Sequence, residues 1–312
     1  MEQNSPVLPS KGGTATIPVM TDQVLPRTVP VIALLTDFGL QDGYVGVMKG
    51  VILSICPTAQ IIDISHHIAP QDIRQGAYVL MTAYRYMPAG TIFAGVVDPG
   101  VGTSRKPIAV QTNQGIFIGP DNGLFSYVFG QVEVQQAVAL QNRQYHLQGI
   151  STTFHGRDIF SPVAAHLANG VPLDQIGPAL NKSFEKLPLP LLQIEDDHVR
   201  GEVLYIDHFG NVVTSIGRLV WGSDDMLQLH PQFGGTAFSE RVTVAPFFAE
   251  AATVEIAGQS FAPLGLSYMG TQKGSILPLI NSAGQLELAV NQGSAAEKLG
   301  VHIGDPVILR TG

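Results

Sequence analysis

Cysteine is almost absent from this sequence of 312 residues, which contains a single one, Cys56. One cysteine excludes an intrachain disulfide, and it also excludes a zinc site built from a cluster of cysteines. Because Cys56 lies within an apolar helical pattern, we expect its thiol to be buried and chemically inert.

Charged residues are also scarce, at 13% of the sequence against about 25% in an ordinary soluble domain. Subunit contacts are expected to cover part of a surface with so little charge, which predicts an oligomer. The formal net charge of −8 provides no basic surface. This argues against nucleic acid and against an anionic membrane as partners.

Long apolar runs are missing as well. No run reaches the roughly 18 residues that a transmembrane helix requires. Residues 1–29 have neither the basic start nor the continuous apolar stretch of a signal peptide. They are rich in Pro, Gly, Ser and Thr, which is typical of a flexible tail. We therefore expect a cytoplasmic protein without a membrane anchor.

Three catalytic signatures do not occur in the sequence. There is no Walker sequence, no Gly-x-Gly-x-x-Gly opens the first predicted helix, and no Gly-x-Ser-x-Gly elbow is present. These absences argue against a phosphate-cradling nucleotide site and against an esterase.

Apolar residues, at 45%, are sufficient for a sizeable core, and their pattern predicts two domains. Over residues 30–190, short apolar strands alternate with helices, which are expected over about residues 43–55, 70–86 and 159–167. This alternation indicates an α/β domain with a mostly parallel sheet. The segment 187–190 is typical of a linker. Over residues 191–312, short strands and turns predict a smaller all-β domain, either a sandwich or a barrel. Ser294 and Glu297 have the spacing of a helix capping box.

Three acids, Asp37, Asp98 and Asp121, each follow an apolar strand and precede a glycine-containing turn. The carboxyl ends of parallel strands lie at one edge of a sheet, so these three loops are expected to converge where open α/β sheets bind ligands. The alternative is ordinary turn chemistry, because Asp and Gly are common in tight turns.

Two further residues carry chemistry of their own. Arg105 closes the Asp98 loop, and His155 lies in the segment Phe-His-Gly-Arg-Asp. An acid, a guanidinium and an imidazole together can bind, orient and help to deprotonate a water molecule. The alternatives are an ordinary ion pair between Asp98 and Arg105, and a structural histidine.

The adjacent pair His66 and His67 raises the question of a metal. Neighbouring residues on a strand or helix point in different directions, so one metal can rarely bind both. We expect no metal site.

Seven motifs then occur in the order in which they are found in one family. They are Thr-Asp-Phe-Gly (36–39), Asp-Pro-Gly-Val-Gly-Thr-Ser-Arg (98–105), Pro-Asp-Asn-Gly (120–123), Thr-Phe-His-Gly-Arg-Asp (153–158), Ile-Asp-His-Phe-Gly-Asn (206–211), Asn-Ser-Ala-Gly (281–284) and Asn-Gln-Gly-Ser-Ala-Ala (291–296). In these motifs the chain resembles the adenosine-forming S-adenosylmethionine (SAM) hydrolases, also called SAM hydroxide adenosyltransferases. That family is related to the SAM-dependent fluorinase and chlorinase.

The resemblance implies an architecture and an assembly. It implies an N-terminal α/β domain, a C-terminal β-barrel-like domain, and a homotrimer. In that homotrimer, each active site lies between the N-terminal domain of one subunit and the C-terminal domain of the next. SAM is the small-molecule substrate, and no cofactor is implied.

The resemblance also assigns roles to residues. Asp98, Arg105 and His155 match the set that handles water in the hydrolases and that the halogenases lack. The positions that match substrate-binding residues are Asp37 (ribose hydroxyls), Asp207 (methionine ammonium), Asn211 (adenine side), Ser282 (methionine carboxylate), Asn291 and Ala295. Two positions depart from the fluorinase: Gln71 stands where it has a stacking tryptophan, and Ala283 where it has an arginine.

The expected reaction is attack of water or hydroxide on the ribose C5′ of SAM, giving adenosine and L-methionine. Two alternatives remain at this point. One is a SAM-dependent halogenase, and the other is a protein that binds SAM or adenosine without turnover.

Overall fold

The computed structural model describes residues 29–195, 197–222, 226–233, 244–268 and 271–312. The tail predicted over residues 1–29 lies outside these ranges, apart from its last residue. The described chain divides into two compact units, the first ending at Pro188 and the second beginning at Leu189.

The first unit is built on a six-stranded sheet with the order β2-β1-β3-β5-β4-β6. Its strands are β1 (Val31–Thr36), β2 (Gln60–Ser65), β3 (Thr91–Val96), β4 (Pro107–Thr112), β5 (Gly115–Pro120) and β6 (Val134–Ala139). The pairs β1–β2, β1–β3 and β3–β5 are parallel, whereas β4 runs antiparallel to both of its neighbours. The predicted α/β domain with a mostly parallel sheet is therefore confirmed.

Helices cover this sheet. They are α1 (Tyr44–Ile55), α2 (Ile73–Ala83), α3 (Ser126–Phe129), α4 (Ser161–Ala168) and α5 (Leu173–Ile176). Every residue of β1 and β3 is buried, which explains why these strands are continuous apolar runs rather than alternating ones. One core cluster joins Ile32 and Leu34 of β1 to Met48, Ile52 and Val163 of the helices.

Two predicted helices differ from the observed ones at their ends. The helix expected over residues 70–86 begins only at Ile73, because the Asp72 carboxylate accepts a hydrogen bond from Gln75 N at 2.9 Å and caps the helix there. Its last turn is a 3-10 turn, Tyr84–Tyr86. The helix expected from Ile159 becomes α-helical only at Ser161, the first residue of α4. The residues before it, Gly156–Phe160, form a π-helical turn that runs directly into α4.

The second unit is antiparallel throughout its main sheet, whose order is β14-β13-β17-β8-β9-β16-β15, with β7 paired to β8. Its strands are β7 (Leu192–Ile194), β8 (His198–Ile206), β9 (Val212–Gly217), β10 (Leu219–Trp221), β11 (Met226–Leu229), β12 (Phe247–Phe248), β13 (Thr253–Ile256), β14 (Gln259–Phe261), β15 (Ile276–Ile280), β16 (Gln285–Val290) and β17 (Pro306–Arg310). Strands β10, β11 and β12 form a separate small sheet.

The main sheet of the second unit nearly closes on itself. Just after β14, Gly265 N donates to Pro278 O of β15 at 2.7 Å, and this links the two ends of the strand order. The barrel-like all-β unit predicted for this part of the chain is therefore confirmed. Helix α6 (Ala295–Leu299) begins where Ser294 Oγ accepts a hydrogen bond from Glu297 N at 3.1 Å, as the capping-box spacing predicts.

Among the described residues, no helix combines the length and the apolar character that crossing a membrane requires.

Candidate active site

Arg105 joins Asp98 and His155 into one hydrogen-bonded set. Its Nε donates to Asp98 Oδ1 at 3.0 Å, and its Nη2 donates to Asp98 Oδ2. The same Nη2 donates to His155 Nδ1 at 2.7 Å. The structure thus brings together the three residues that the sequence analysis grouped, although His155 is 50 residues from Arg105 in the chain.

A side-chain hydrogen bond and a close backbone approach hold the loops that carry this set in place. Asn122 Nδ2 donates to Val97 O at 2.8 Å and fixes the end of the segment just before Asp98. Gly102 has φ of +78°, and a Cβ placed on it would lie 2.4 Å from Thr152 O. Only glycine allows this close approach, so Gly102 keeps the Asp98 loop beside the loop that leads to His155.

The ion pair of Asp98 and Arg105 is almost completely shielded from solvent. The side chains of Asp98 and Arg105 are 4% and 9% exposed, and the guanidinium carbon of Arg105 lies 5.4 Å from the centroid of the Phe160 ring. Electrostatic interactions are stronger in such surroundings than in water. A buried pair of this kind is costly to break, because either partner alone would be an uncompensated buried charge.

The tautomer of His155 follows from its contact with Arg105. A guanidinium has only donors, so Nδ1 of His155 must accept with its lone pair. A neutral ring then carries its proton on Nε2. Burial, followed by the positive charge of Arg105, lowers the pKa of His155 below its ordinary value of 6.5, although the charges of Asp98 and Asp158 oppose the shift. His155 is therefore neutral at neutral pH.

Asp158 organises the loop around His155. Its Oδ1 accepts from Arg157 Nε at 2.6 Å, and its Oδ2 accepts from Ser151 N at 2.8 Å. Burial would raise the pKa of Asp158, but the hydrogen bonds from Arg157 and Ser151 outweigh this effect and lower it. Asp158 is thus an ionised, buried anchor of the π-helical turn. Such turns are frequent at functional sites.

The other two acids of the predicted cluster have different partners. Asp37 Oδ2 accepts from Gln71 N at 2.8 Å, and Gln71 has φ of +68°. Asp121 Oδ1 accepts from Glu185 N at 2.9 Å, and burial raises its pKa. Asp37, Asp98 and Asp121 follow the parallel neighbours β1, β3 and β5, so all three lie at one edge of the sheet. Asp121 uses its carboxylate to fix its own chain.

An aromatic group that the sequence analysis missed lies beside these loops. Phe154 packs edge-on against Phe38 and Tyr44, with ring centroids 5.8 Å and 5.2 Å apart, and the guanidinium carbon of Arg157 lies 5.2 Å from its centroid. Phe154 precedes His155, and Phe38 follows Asp37. Their positions next to His155 and Asp37 were the only sequence signal for this aromatic group. Apolar residues next to turns are too common for that signal to be recognised.

In the second unit, Asp207 and Asn211 form one hydrogen-bonded loop. Asp207 Oδ1 accepts from Phe209 N and Asn211 N at 2.8 Å and 2.9 Å, and Oδ2 accepts from Asn211 Nδ2 at 2.9 Å. Gly210 has φ of +81°, and a Cβ there would lie 2.1 Å from Ser294 Oγ. The Asp207 loop is therefore pressed against the 291–296 turn.

The remaining predicted substrate-binding residues have the following places. Ser282 is exposed at the tip of the turn between β15 and β16, where Asn281 Oδ1 accepts from Ala283 N and Gln285 N. The side chain of Asn291 donates to Thr271 O at 2.7 Å. Ala295 is fully buried in the core of the second unit.

A buried carboxylate that the sequence analysis did not single out lies next to these groups. Glu287 on β16 is 3% exposed; its Oε1 accepts from the Tyr268 hydroxyl at 2.9 Å and its Oε2 accepts from Asn281 Nδ2 at 3.2 Å. Burial, and then the nearby charge of Asp207, raise the pKa of Glu287 against these hydrogen bonds. Burial and Glu287 together raise the pKa of Tyr268 to about 12. Periodicity alone would have placed an apolar residue at this inward position.

Within the described ranges, no group of three or more His, Cys, Asp or Glu side chains is arranged to hold a metal ion. The adjacent histidines are separated by the fold, since His66 is buried and His67 is exposed.

Comparison with known proteins finds matches over most of the chain. Residues 32–177 match the model of the SAM hydroxide adenosyltransferase N-terminal domain, and residues 201–308 match that of the C-terminal domain. The (R)-S-adenosyl-L-methionine hydrolase of Salinispora tropica is 41% identical over 91% of this chain and 98% of its own length.

Two further relatives also match over most of the chain. The crystal structure of an uncharacterized conserved protein from Thermotoga maritima matches with a TM-score of 0.77 and 38% identity, over 89% of this chain and 99% of that one. A fluorinase from Nocardia brasiliensis is 29% identical, over 91% of this chain and 97% of its own. The chain belongs to the SAM hydroxide adenosyltransferase family.

Proposed function

We propose that this protein hydrolyses SAM. Water or hydroxide attacks the ribose C5′, the bond between C5′ and sulfur breaks, and the products are adenosine and L-methionine. The observation that carries the proposal is the buried set in which one guanidinium holds both a carboxylate and an imidazole. The matched hydrolase of Salinispora tropica supports it.

The chemical difficulty lies in the nucleophile. The sulfonium makes methionine a good leaving group, but bulk water, with a pKa of about 15.7, is a weak nucleophile. A water-excluding site strengthens every charge that acts on the attacking oxygen. The barrier is lowered further by holding the oxygen in line with C5′.

Arg105 supplies positive charge to the developing hydroxide. Both Nε and Nη2 are used by Asp98 and His155. Nη1 makes no hydrogen bond to another described residue, so it can donate to a bound water. Asp98 is the anionic member of the set, and its remaining lone pairs can accept a proton from that water. The low exposure of both side chains keeps this exchange away from bulk solvent.

His155 takes a more restricted role than a free histidine would. Because Nδ1 accepts from Arg105, the neutral ring has an N–H on Nε2 that can donate to the attacking oxygen and orient it. Its lowered pKa keeps the ring neutral, so that it does not add a second positive charge beside Arg105. Proton acceptance by His155 requires the bond to Arg105 to open.

The substrate-binding roles remain part of the proposal. Asp37 would hold the ribose hydroxyls, and Ser282 the methionine carboxylate. Asp207 would hold the methionine ammonium; its carboxylate has about four lone-pair sites, of which three are used by its own loop. Asn211 would line the adenine side. Asn291 and Ala295 are further substrate-binding positions; the side chain of Ala295 is fully buried, so Ala295 would take part through its backbone. SAM is the substrate, and the reaction as proposed uses no cofactor and no metal.

We further infer a homotrimer whose active sites lie between subunits. The low charge content supports an assembly, and each unit has large apolar side chains that are exposed in the single chain: Leu40, Tyr44 and Val47 in the first, Phe209 and Leu266 in the second. Such side chains often mark surfaces that associate. Light scattering should give three times the chain mass, and a monomer at working concentration would contradict the assembly.

A mixing experiment tests whether sites are shared between subunits. Arg105→Lys and Asp207→Asn are each expected to be inactive, and they lie in different units. If each site combines halves of two subunits, unfolding and refolding an equal mixture restores about a quarter of the sites. A mixture as inactive as its components would contradict shared sites.

Incubation of the purified protein with SAM in chloride-free buffer tests the activity itself. We expect adenosine and methionine in equal amounts by chromatography. 5′-Chloro-5′-deoxyadenosine on adding chloride would indicate a halogenase instead. Tight SAM binding without any product would indicate a binding protein.

A further inference from the structure

His66 is buried in the first unit, and the reaction proposed above makes no use of it. It follows β2 directly and is 3% exposed. Its side chain points inward, whereas that of His67 is exposed. A buried imidazole needs hydrogen-bond partners, and the partners of His66 lead to the turn that carries Asp37.

The ring of His66 connects two groups. Its Nδ1 lies 2.8 Å from the Thr36 hydroxyl, and its Nε2 lies 3.1 Å from Asp63 Oδ1. Lys49 Nζ donates to Asp63 Oδ2 at 2.6 Å, so this carboxylate is ionised and only accepts. Nε2 lacks the geometry of a hydrogen bond to this carboxylate, but an N–H on Nε2 is attracted electrostatically by the charge 3.1 Å away. The proton of His66 therefore belongs on Nε2, and Nδ1 accepts from the hydroxyl of Thr36.

Thr36 connects His66 to the turn that follows β1. Its hydroxyl donates to His66, so its oxygen is free to accept from Phe38 N, which lies 3.3 Å away. The backbone of His66 acts at the same place, because its carbonyl accepts from Gly39 N at 2.7 Å. Both amides that follow Asp37 are thus held by His66, one through Thr36 and one directly. Thr36 itself is fully buried.

We propose that His66 is a positioning residue, which sets the Asp37 carboxylate for its contact with the ribose hydroxyls through Thr36 and the backbone of residues 36–39. The inference rests on the proposed function, because it needs a ribose as the group that Asp37 holds. The ion pair of Lys49 and Asp63, on the other side of the His66 ring from Thr36, fixes the tautomer of His66. An unoriented ring would present an N–H to Thr36 and disturb this order.

Two matched pairs of variants test the connection from His66 through Thr36 to Asp37. Thr36→Val removes the hydroxyl at nearly constant shape, whereas Thr36→Ser keeps it. His66→Asn keeps an acceptor near the position of Nδ1, whereas His66→Gln places its amide near Nε2 and leaves Thr36 without its acceptor. We expect kcat/KM for SAM to fall about tenfold in T36V and H66Q, and T36S and H66N to retain most of the activity.

A substrate comparison separates positioning from a general loss of structure. The 2′,3′-dideoxy analogue of SAM lacks the hydroxyls that Asp37 would hold. T36V should therefore reduce turnover of SAM far more than turnover of this analogue, and it should have little further effect in an Asp37→Asn background. The melting temperature of each variant is measured alongside.

The outcomes are distinguishable. Equal losses of T36V on both substrates, or a full additional loss in the D37N background, would overturn the role of His66 alone. A wild-type protein that forms no adenosine would overturn the proposed function and this inference with it. A D37N variant with unchanged turnover of SAM would overturn the ribose-binding role of Asp37, and therefore this inference, while hydrolysis of SAM would stand.

Discussion

Arg105 donates a hydrogen bond from Nη2 to Nδ1 of His155 at 2.7 Å, and this contact determines which ring nitrogen of the histidine holds the proton. The same nitrogen of Arg105 donates to Asp98. A single planar group therefore sets the geometry of both its neighbours.

Arg105→Lys tests the fork geometry while keeping a positive charge. A lysine offers one ammonium in place of a planar fork, so it cannot bind Asp98 through two nitrogens and His155 at once. We expect kcat to fall by about 10²–10³-fold, with little change in the dissociation constant of SAM measured by calorimetry. A variant that keeps its kcat would show that charge alone is sufficient.

The pKa of His155 should respond in opposite directions to changes in its two charged neighbours. Removing the positive charge with Arg105→Gln raises this pKa toward 6.5, and removing the negative charge with Asp98→Asn lowers it further. NMR titration of the ring protons measures both shifts. Shifts in the same direction, or none, would contradict the contact.

The pH profile of the wild-type protein follows from the same pKa. Protonation of His155 turns Nδ1 into a donor that faces a donor of Arg105, which breaks their hydrogen bond. Because the pKa of His155 is lowered below 6.5, kcat/KM should decline at acidic pH with a midpoint below pH 6.5. A midpoint above pH 6.5 would place another group in control.

Gly102→Ala should disrupt the site through the backbone. The new Cβ would meet Thr152 O at 2.4 Å in a conformation with φ of +78°, so the two loops must separate and His155 must leave Arg105. Gly149→Ala is the matched control, because Gly149 has φ of +73° but open space around its Cα. Both variants should lose about 1 kcal/mol of stability from strain, and only G102A should lose most of its activity. Equal activities would contradict the close approach as the cause.

Glu287→Gln should stabilise the protein in a manner that depends on pH. The pKa of Glu287 is raised in the folded state above its ordinary value of 4.5, so its contribution to stability is present at acidic pH and is lost as the pH rises through the raised value. The neutral variant does not lose it. The melting temperature of E287Q relative to the wild type should therefore rise by a few degrees between pH 4 and pH 8. A constant difference would contradict the assigned shift.

The strand and helix order of the first unit was predictable because β1 and β3 are buried on both faces and appear as uninterrupted apolar runs. Helix ends were less accurate, since the cap at Asp72 and the π-helical turn before Ser161 depend on hydrogen bonds rather than on periodicity. In the second unit, strands such as β12 (Phe247–Phe248) are too short to produce a pattern. The longer strands were therefore sufficient to predict an all-β unit, whereas a barrel in preference to a sandwich followed only from the resemblance to the family.

The candidate site was predictable in composition but not in geometry. Asp98, Arg105 and His155 could be grouped because unusual polar residues interrupt apolar patterns there. The tautomer of His155, the contact of the buried Glu287 with Tyr268, and the link from His66 to Thr36 each depend on contacts between residues distant in the chain. Asp121 shows the opposite case: like Asp98 it follows an apolar strand and precedes a glycine-containing turn, but its carboxylate binds the Glu185 backbone.

Turnover of SAM in water enriched in oxygen-18 tests the central claim most directly. Attack of water at C5′ places the solvent oxygen in the 5′-hydroxyl of adenosine, so mass spectrometry should find one heavy oxygen in adenosine and none in methionine. Adenosine without the label, or a halogenated nucleoside in place of adenosine, would contradict hydrolysis at C5′ by this protein.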